Sequence, residues 1–141
     1  MPSAFCDTNV ILYAARPWLE PQDEHKRPAA VELMERDFGV SCQVLAEFYY
    51  NAVQKGASRL SAEEAEIWLD DLAARPCAVV DADLVRHGVA ISRRYQISYW
   101  DGAIVAAALE LGATTLYSED LNDGQKYGDL TVINPFKSQS H

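Results

Sequence analysis

Apolar positions along this chain of 141 residues alternate between two spacings. Short β-rich runs at Ser3–Cys6, Gly39–Ser41, Cys77–Val80, Thr114–Tyr117 and Leu130–Ile133 read as strands. Between them the apolar residues recur at helical intervals. Ala30, Val31, Met34 and Phe38 form one such stripe before the second strand. Val44, Phe48 and Ala52 form another after it, with Leu45 alongside. Ala65, Trp68, Leu69 and Leu72 fall at i, i+3, i+4 and i+7. Their helix is announced by Ser61-Ala62-Glu63-Glu64, a capping-box pattern, and stops before Pro76. Leu84, Gly88 and Ile91 mark a further helix. Ile104, Ala107, Ala108 and Leu111 mark the last, over 101–111, closed by Gly112. Strands alternating with helices predict an α/β fold, a parallel sheet covered on both faces. The length suits one domain, residues 1–136, with 137–141 as a loose tail. The segment Arg16–Arg27 carries two prolines and few apolar residues, and reads as an exposed connection of the kind that borders a site.

Composition narrows the chemistry. Hydrophobic residues make up 49% and charged residues 23%, the balance of an ordinary soluble globule. No apolar run approaches the roughly 18–20 residues of a membrane span, and MPSAFCDTN lacks the layout of a signal peptide, so a cytoplasmic protein with no membrane partner is expected. Cys6, Cys42 and Cys77 are odd in number and lie in apolar or strand-like settings, which predicts reduced, buried thiols. No cysteine pair has zinc-ligand spacing, and His25, His87 and His141 are isolated. Twenty-one acids against twelve bases give a net charge of −9. A chain that coats nucleic acid by bulk electrostatics would be basic. Bound cations inside a site could still reverse the balance locally.

Four carboxylates stand out by position. Asp7 ends the first strand and precedes Val10-Ile11-Leu12, where it can also cap a helix. Glu47 sits among Val44, Leu45, Phe48, Tyr49 and Tyr50, an apolar setting in which an acid without a partner is costly. It lies either at the edge of the apolar face or beside a cation. Asp101, in Tyr99-Trp100-Asp101-Gly102, opens the last helix three residues before Ile104 and so projects along its inward face. Asp120 follows the fourth strand in Ser118-Glu119-Asp120-Leu121-Asn122-Asp123-Gly124, an acidic turn, and is its best ligand candidate. Glu63, Glu64, Glu66, Asp70 and Asp71 lie on the polar face of an amphipathic helix and are expected in solvent. Carboxylates gathered at one sheet edge are what hard divalent cations need. There is no glycine-rich phosphate loop, no nucleophile elbow and no cysteine–histidine pair.

FCDTNVILYA, VLAEF, YWDGAIVAAA and LYSEDLNDGQ, in this order from Ala4 to Pro135, resemble the PIN-domain nucleases, and within them the VapC-like toxins of bacterial toxin–antitoxin pairs. The resemblance implies a three-layer fold, a five-stranded parallel sheet in order 3-2-1-4-5 flanked by helices. It makes Asp7, Glu47, Asp101 and Asp120 the acidic metal site, with Asn9, Ser118 and Asp123 as supporting polar residues. It implies one or two Mg2+ or Mn2+ ions and an RNA substrate whose phosphodiester is hydrolysed by water. It further implies a VapB-like antitoxin, for which Trp18, Leu19, Tyr49 and Tyr50 are groove candidates, and a homodimer. Arg16, Lys26, Arg27, Arg93, Arg94 and Lys126 are the candidates for a local basic rim that meets RNA. Two other readings stay open: a metal-free binding module whose acids cap helices, and a haloacid-dehalogenase-type phosphohydrolase with Asp7 as nucleophile. The latter wants an Asp where this chain has Asn9.

Overall fold

The computed structural model describes residues 2–137, so most of the expected tail lies outside the described residues. In chain order the elements are β1 (Ala4–Cys6), α1 (Thr8–Ala15), α2 (Arg27–Met34), β2 (Val40–Ser41), α3 (Cys42–Gln54), α4 (Ala62–Ala73), β3 (Cys77–Ala78), α5 (Ala82–Tyr95), α6 (Tyr99–Glu110), β4 (Thr115–Tyr117), β5 (Lys126–Tyr127) and β6 (Leu130–Ile133). The class is α/β, as the alternation predicts. The sheet differs from expectation. β1, β4 and β6 pair in parallel, and β5 adds to β6 antiparallel, giving a four-stranded mixed sheet in order β1-β4-β6-β5. β2 and β3 form a separate parallel pair. A single bridge between Phe5 and Gly39 connects the two, with Gly39 N–H donating to the Ala4 carbonyl at 2.8 Å.

Side-chain caps explain why the strands are shorter than the apolar runs. Ser41 accepts from the Val44 amide, so β2 turns into α3 after two residues. β3 stops at Ala78 because the chain turns through Val79 toward Asp81, which caps α5. Val79 and Val80, expected in a strand, are therefore exposed. β5 is a two-residue strand between turns at Gly124 (φ 85°) and Gly128 (φ 63°), too short to show an alternating pattern.

Phe5, Val10, Ile11, Phe38, Val44, Phe48, Leu72, Leu116 and Leu130 form the core, each burial contributing about 1.5–3 kcal/mol. The capping box at Ser61 and Glu64 forms as expected. Glu63, Glu64, Glu66, Asp70 and Asp71 are exposed. Cysteine burial holds only in part: Cys6 is buried, Cys77 half-buried and Cys42 exposed at the start of α3. α6 is buried on all sides from Gly102 to Ala108. It lies against α5 where two glycines meet: a methyl group on Gly102 would stand 2.6 Å from the Gly88 carbonyl oxygen. That close approach fixes the first turn of α6, and Asp101 with it. No helix among the described residues is long and apolar enough to cross a membrane.

Candidate active site

Asp7 leaves β1 and caps α1. Its Oδ1 accepts from the Thr8 amide at 2.8 Å and its Oδ2 from the Ser118 hydroxyl at 2.9 Å. It is only 7% exposed. Burial pushes its carboxyl from the ordinary 3.8 up to about 6, against the lowering effect of the Thr8 and Ser118 hydrogen bonds; nearby Asp120 and Glu47 add to the rise. Ser118 is itself fully buried and accepts from the Asp120 amide at 3.2 Å, so one hydroxyl joins the end of β1 to the turn after β4.

Glu47 reaches the same place from α3. Thr8 Oγ1 donates to its Oε1 at 3.0 Å, and Gln43 Nε2 to its Oε2 at 3.4 Å. Asn51 donates to the Glu47 carbonyl at 2.7 Å. Asp120 receives the Asn9 side-chain amide at 3.2 Å on Oδ2, and partial desolvation in the cleft, together with Glu119 and Asp101, raises its carboxyl above the usual range. Asp101 stands two residues further into its helix than expected. α6 begins at Tyr99 and is capped by Ser98, whose hydroxyl accepts from the Asp101 amide at 3.1 Å. The Asp101 side chain is thus free of capping duty and faces the cleft.

Asp7, Glu47, Asp101 and Asp120 all line one cleft of about 160 Å3, together with Thr8, Asn9, Gln43, Asn51, Trp100 and Ile104. Among the described residues none of the four acids forms a salt bridge. The acids outside the cleft behave differently. Glu119, next in sequence to Asp120, is held by Lys26 at 2.9 Å and by the Tyr13 hydroxyl. Asp123 accepts from the Asn134 amide at 2.8 Å and lies 3.8 Å from Lys137. It is not brought to the cleft, whereas Asn9 and Ser118 are tied directly to the cleft acids.

The donor set is oxygen throughout, suited to a hard cation. Among the described residues no three acidic, histidine or cysteine groups already form an ion cage. Glu47 and Asp101 are half-buried and Asp120 is exposed, so these three side chains have room to close on an ion beside the fixed Asp7.

The expected basic rim divides in two. Arg16 donates to the Lys55, Ser58 and Asn51 carbonyls, and Arg27 to the Ala14 and Arg16 carbonyls. Lys26 is held by Asp23 and Glu119, both at 2.9 Å. These three fasten the 16–27 connection to the body. Arg93, Arg94 and Lys126 are exposed. The groove candidates separate as well. Trp18 and Leu19 line a hollow of about 260 Å3 that also touches Asn9 and Tyr13. Tyr49 packs on the core, and Tyr50 is exposed beneath Lys55.

Sequence reasoning missed Thr8, Gln43 and Asn51. A signal existed for two of them: Gln43, Glu47 and Asn51 are spaced i, i+4 and i+8, a polar stripe through an apolar helix.

Comparison with known proteins bears on the family and the fold. The family model described as PIN domain matches residues 4–125. No curated protein matches the sequence. Among solved structures, FitAB bound to an IR36 DNA fragment is similar with a TM-score of 0.67 at 21% identity, covering 98% of this chain and 99% of that one. A toxin–antitoxin complex from Klebsiella pneumoniae is similar with a TM-score of 0.66 at 18% identity, covering 94% and 98%. Mycobacterium tuberculosis VapC20, described as a sarcin–ricin loop cleaving toxin, is similar with a TM-score of 0.58 at 17% identity, covering 82% and 88%.

Proposed function

Because the chain belongs to the PIN-domain family, we propose that it is a divalent-metal-dependent endoribonuclease and the toxin of a toxin–antitoxin pair. One observation carries the chemistry: four carboxylates, from the end of β1, α3, α6 and the turn after β4, line one cleft with no salt bridge to a basic residue among the described residues. Carboxylates converging in that way repel one another, and a cation offsets the repulsion. Asp7, Asp101 and Asp120 would hold Mg2+ or Mn2+, one or two ions, with Glu47 binding metal or orienting water. When bound, such a metal activates water and stabilises charge on the phosphate.

The chain's own groups do the positioning. Ser118 and the Thr8 amide hold Asp7 in one rotamer. Asn9 steadies Asp120, while Thr8 and Gln43 steady Glu47. Supporting hydrogen bonds of this kind keep a catalytic group in place. RNA as substrate is supported by the family and by the likeness to VapC20, a sarcin–ricin loop cleaving toxin. A VapB-like antitoxin as partner is supported by the likeness to a toxin–antitoxin complex from Klebsiella pneumoniae. Its amphipathic segment would lie in the Trp18–Leu19 hollow, next to Asn9. A homodimer belongs to the same reading. With a charge of −9 and, among the rim candidates, only Arg93, Arg94 and Lys126 exposed, salt-sensitive, shape-dependent choice of a folded RNA is expected over indiscriminate binding.

The test is cleavage of RNA by purified protein, with and without a chelator, and identification of the ends. Attack by water predicts 5′-phosphate and 3′-hydroxyl products that vanish on chelation. Cyclic phosphate ends, or cleavage that survives the chelator, would contradict the proposal.

A further inference from the structure

Beside the acid cleft lies a second, wider hollow. It encloses about 520 Å3 and is lined by Cys42, Gln43, Ala46, Glu47, Val80, Tyr99 and Trp100, within the roughly 300–1,000 Å3 typical of ligand sites. Trp100 is 63% exposed, a large apolar surface left in water. Gln43, Glu47 and Trp100 line both this hollow and the acid cleft, so the two are continuous.

The two aromatic side chains pack on each other. Tyr99 and Trp100 meet edge to face, with centroids 5.0 Å apart at 70°, and Tyr99 leans on the backbone of α5 at Gly88. Both belong to the first turn of α6, one and two residues before Asp101. Their distance from the acids is therefore set by the helix. Gln43 bridges the two regions, its Nε2 lying 3.4 Å from Glu47 Oε2 and 3.5 Å from the Trp100 carbonyl.

We propose that Tyr99 and Trp100 form a stacking platform for an unpaired RNA base next to the scissile phosphate, with Trp100 the contact residue and Tyr99 its buttress. This rests on the ribonuclease reading above. Charge argues for the occupant. The chain carries −9, and Arg16, Lys26 and Arg27 are engaged within the fold, so phosphate contacts alone supply little affinity. Base–aromatic stacking adds affinity through the π-face of the base, a contact that itself needs no basic residue. A nucleotide chained to a phosphate in the acid cleft has the indole as its adjoining wall.

The experiment uses a synthetic stem–loop spanning a site that the wild-type protein cuts in total cellular RNA. Analogues carry an abasic sugar at each nucleotide flanking the cut. Trp100→Ala should raise KM about ten-fold or more with a smaller change in kcat, and Trp100→Phe should restore most of the loss. One abasic position should cost wild type a similar factor and cost Trp100→Ala nothing further. Substitution of so exposed a side chain leaves the core intact, which a thermal melt checks. An unaltered KM in Trp100→Ala, or an abasic penalty that persists in full in that variant, would overturn the platform. So would a drop in molecular mass on Trp100→Ala by light scattering, which would give this face to a second copy. Failure of wild type to cleave any RNA is a different result, and it removes the ribonuclease reading itself.

Discussion

Asp7→Asn should slow RNA cleavage by more than about 100-fold, because loss of even an outer partner of a metal ligand typically costs 10–100-fold. The same variant should fold at least as well as wild type without metal. An Asn Oδ1 can still accept from the Thr8 amide, and its Nδ2 can donate to the Ser118 oxygen, which already has room for a second contact. What disappears is a buried charge close to Asp120 and Glu47. Millimolar Mg2+ or Mn2+ should raise the melting temperature of wild type, since a ligand that binds only the folded state stabilises it, by about 2.7 kcal/mol at a hundred times Kd. Asp7→Asn should lose most of that rise. If Asp7 served only as a helix cap, Asn would cap equally well, and neither activity nor metal response would change. Melting curves of both proteins with and without metal distinguish these outcomes.

The second large effect is the pH dependence of the metal-free protein. Burial lifts the Asp7 carboxyl from 3.8 to about 6. Between about pH 4 and pH 6 the folded state therefore keeps a proton that the unfolded state has released. Stability falls as pH rises through that window, whereas a salt-bridged acid with a depressed folded pKa gains stability with rising pH only below about pH 4. The displacement corresponds to roughly 3 kcal/mol. Asp120, also raised, acts in the same direction. Measured in chelator, the stability of Asp7→Asn relative to wild type should increase from pH 4 to pH 6 and level off above it. A difference that stays constant over this range would contradict the burial of a metal-free carboxylate at this position. Added metal should flatten the wild-type profile, because it binds the deprotonated form.

The acids were legible because each broke a local rule. Asp7 closes an apolar run and opens a helix, and Glu47 interrupts an apolar face. Both positions follow from short-range pattern, and both reach the cleft. Asp101 was legible as a residue but not in its setting, because Ser98 takes the cap two residues earlier than the alanine-rich run suggests. The roles of Arg16, Lys26 and Arg27 were not legible: each is decided by carbonyls or acids that are mostly more than ten residues away, and no local pattern encodes such partners. A lysine beside an acid in space reads in sequence as a free cation. The sheet was legible in its parallel strands and not in its joints. β5 has two residues and owes its existence to flanking glycine turns, and the join between β1 and β2 is one bridge at Gly39. Asp123 shows the limit of position as a guide. It shares a turn with Asp120, yet its carboxylate serves the Asn134 backbone.

The most direct test of the account is the rate of RNA cleavage in a panel of single amide variants, Asp7→Asn, Glu47→Gln, Asp101→Asn and Asp120→Asn, with Asp123→Asn beside them. All four cleft acids should be required, each variant losing most of its metal-stimulated activity while remaining folded, and Asp123→Asn should stay near wild type. Activity retained in the four cleft variants would contradict the assignment of catalysis to this cleft, and so would a loss in Asp123→Asn as large as theirs.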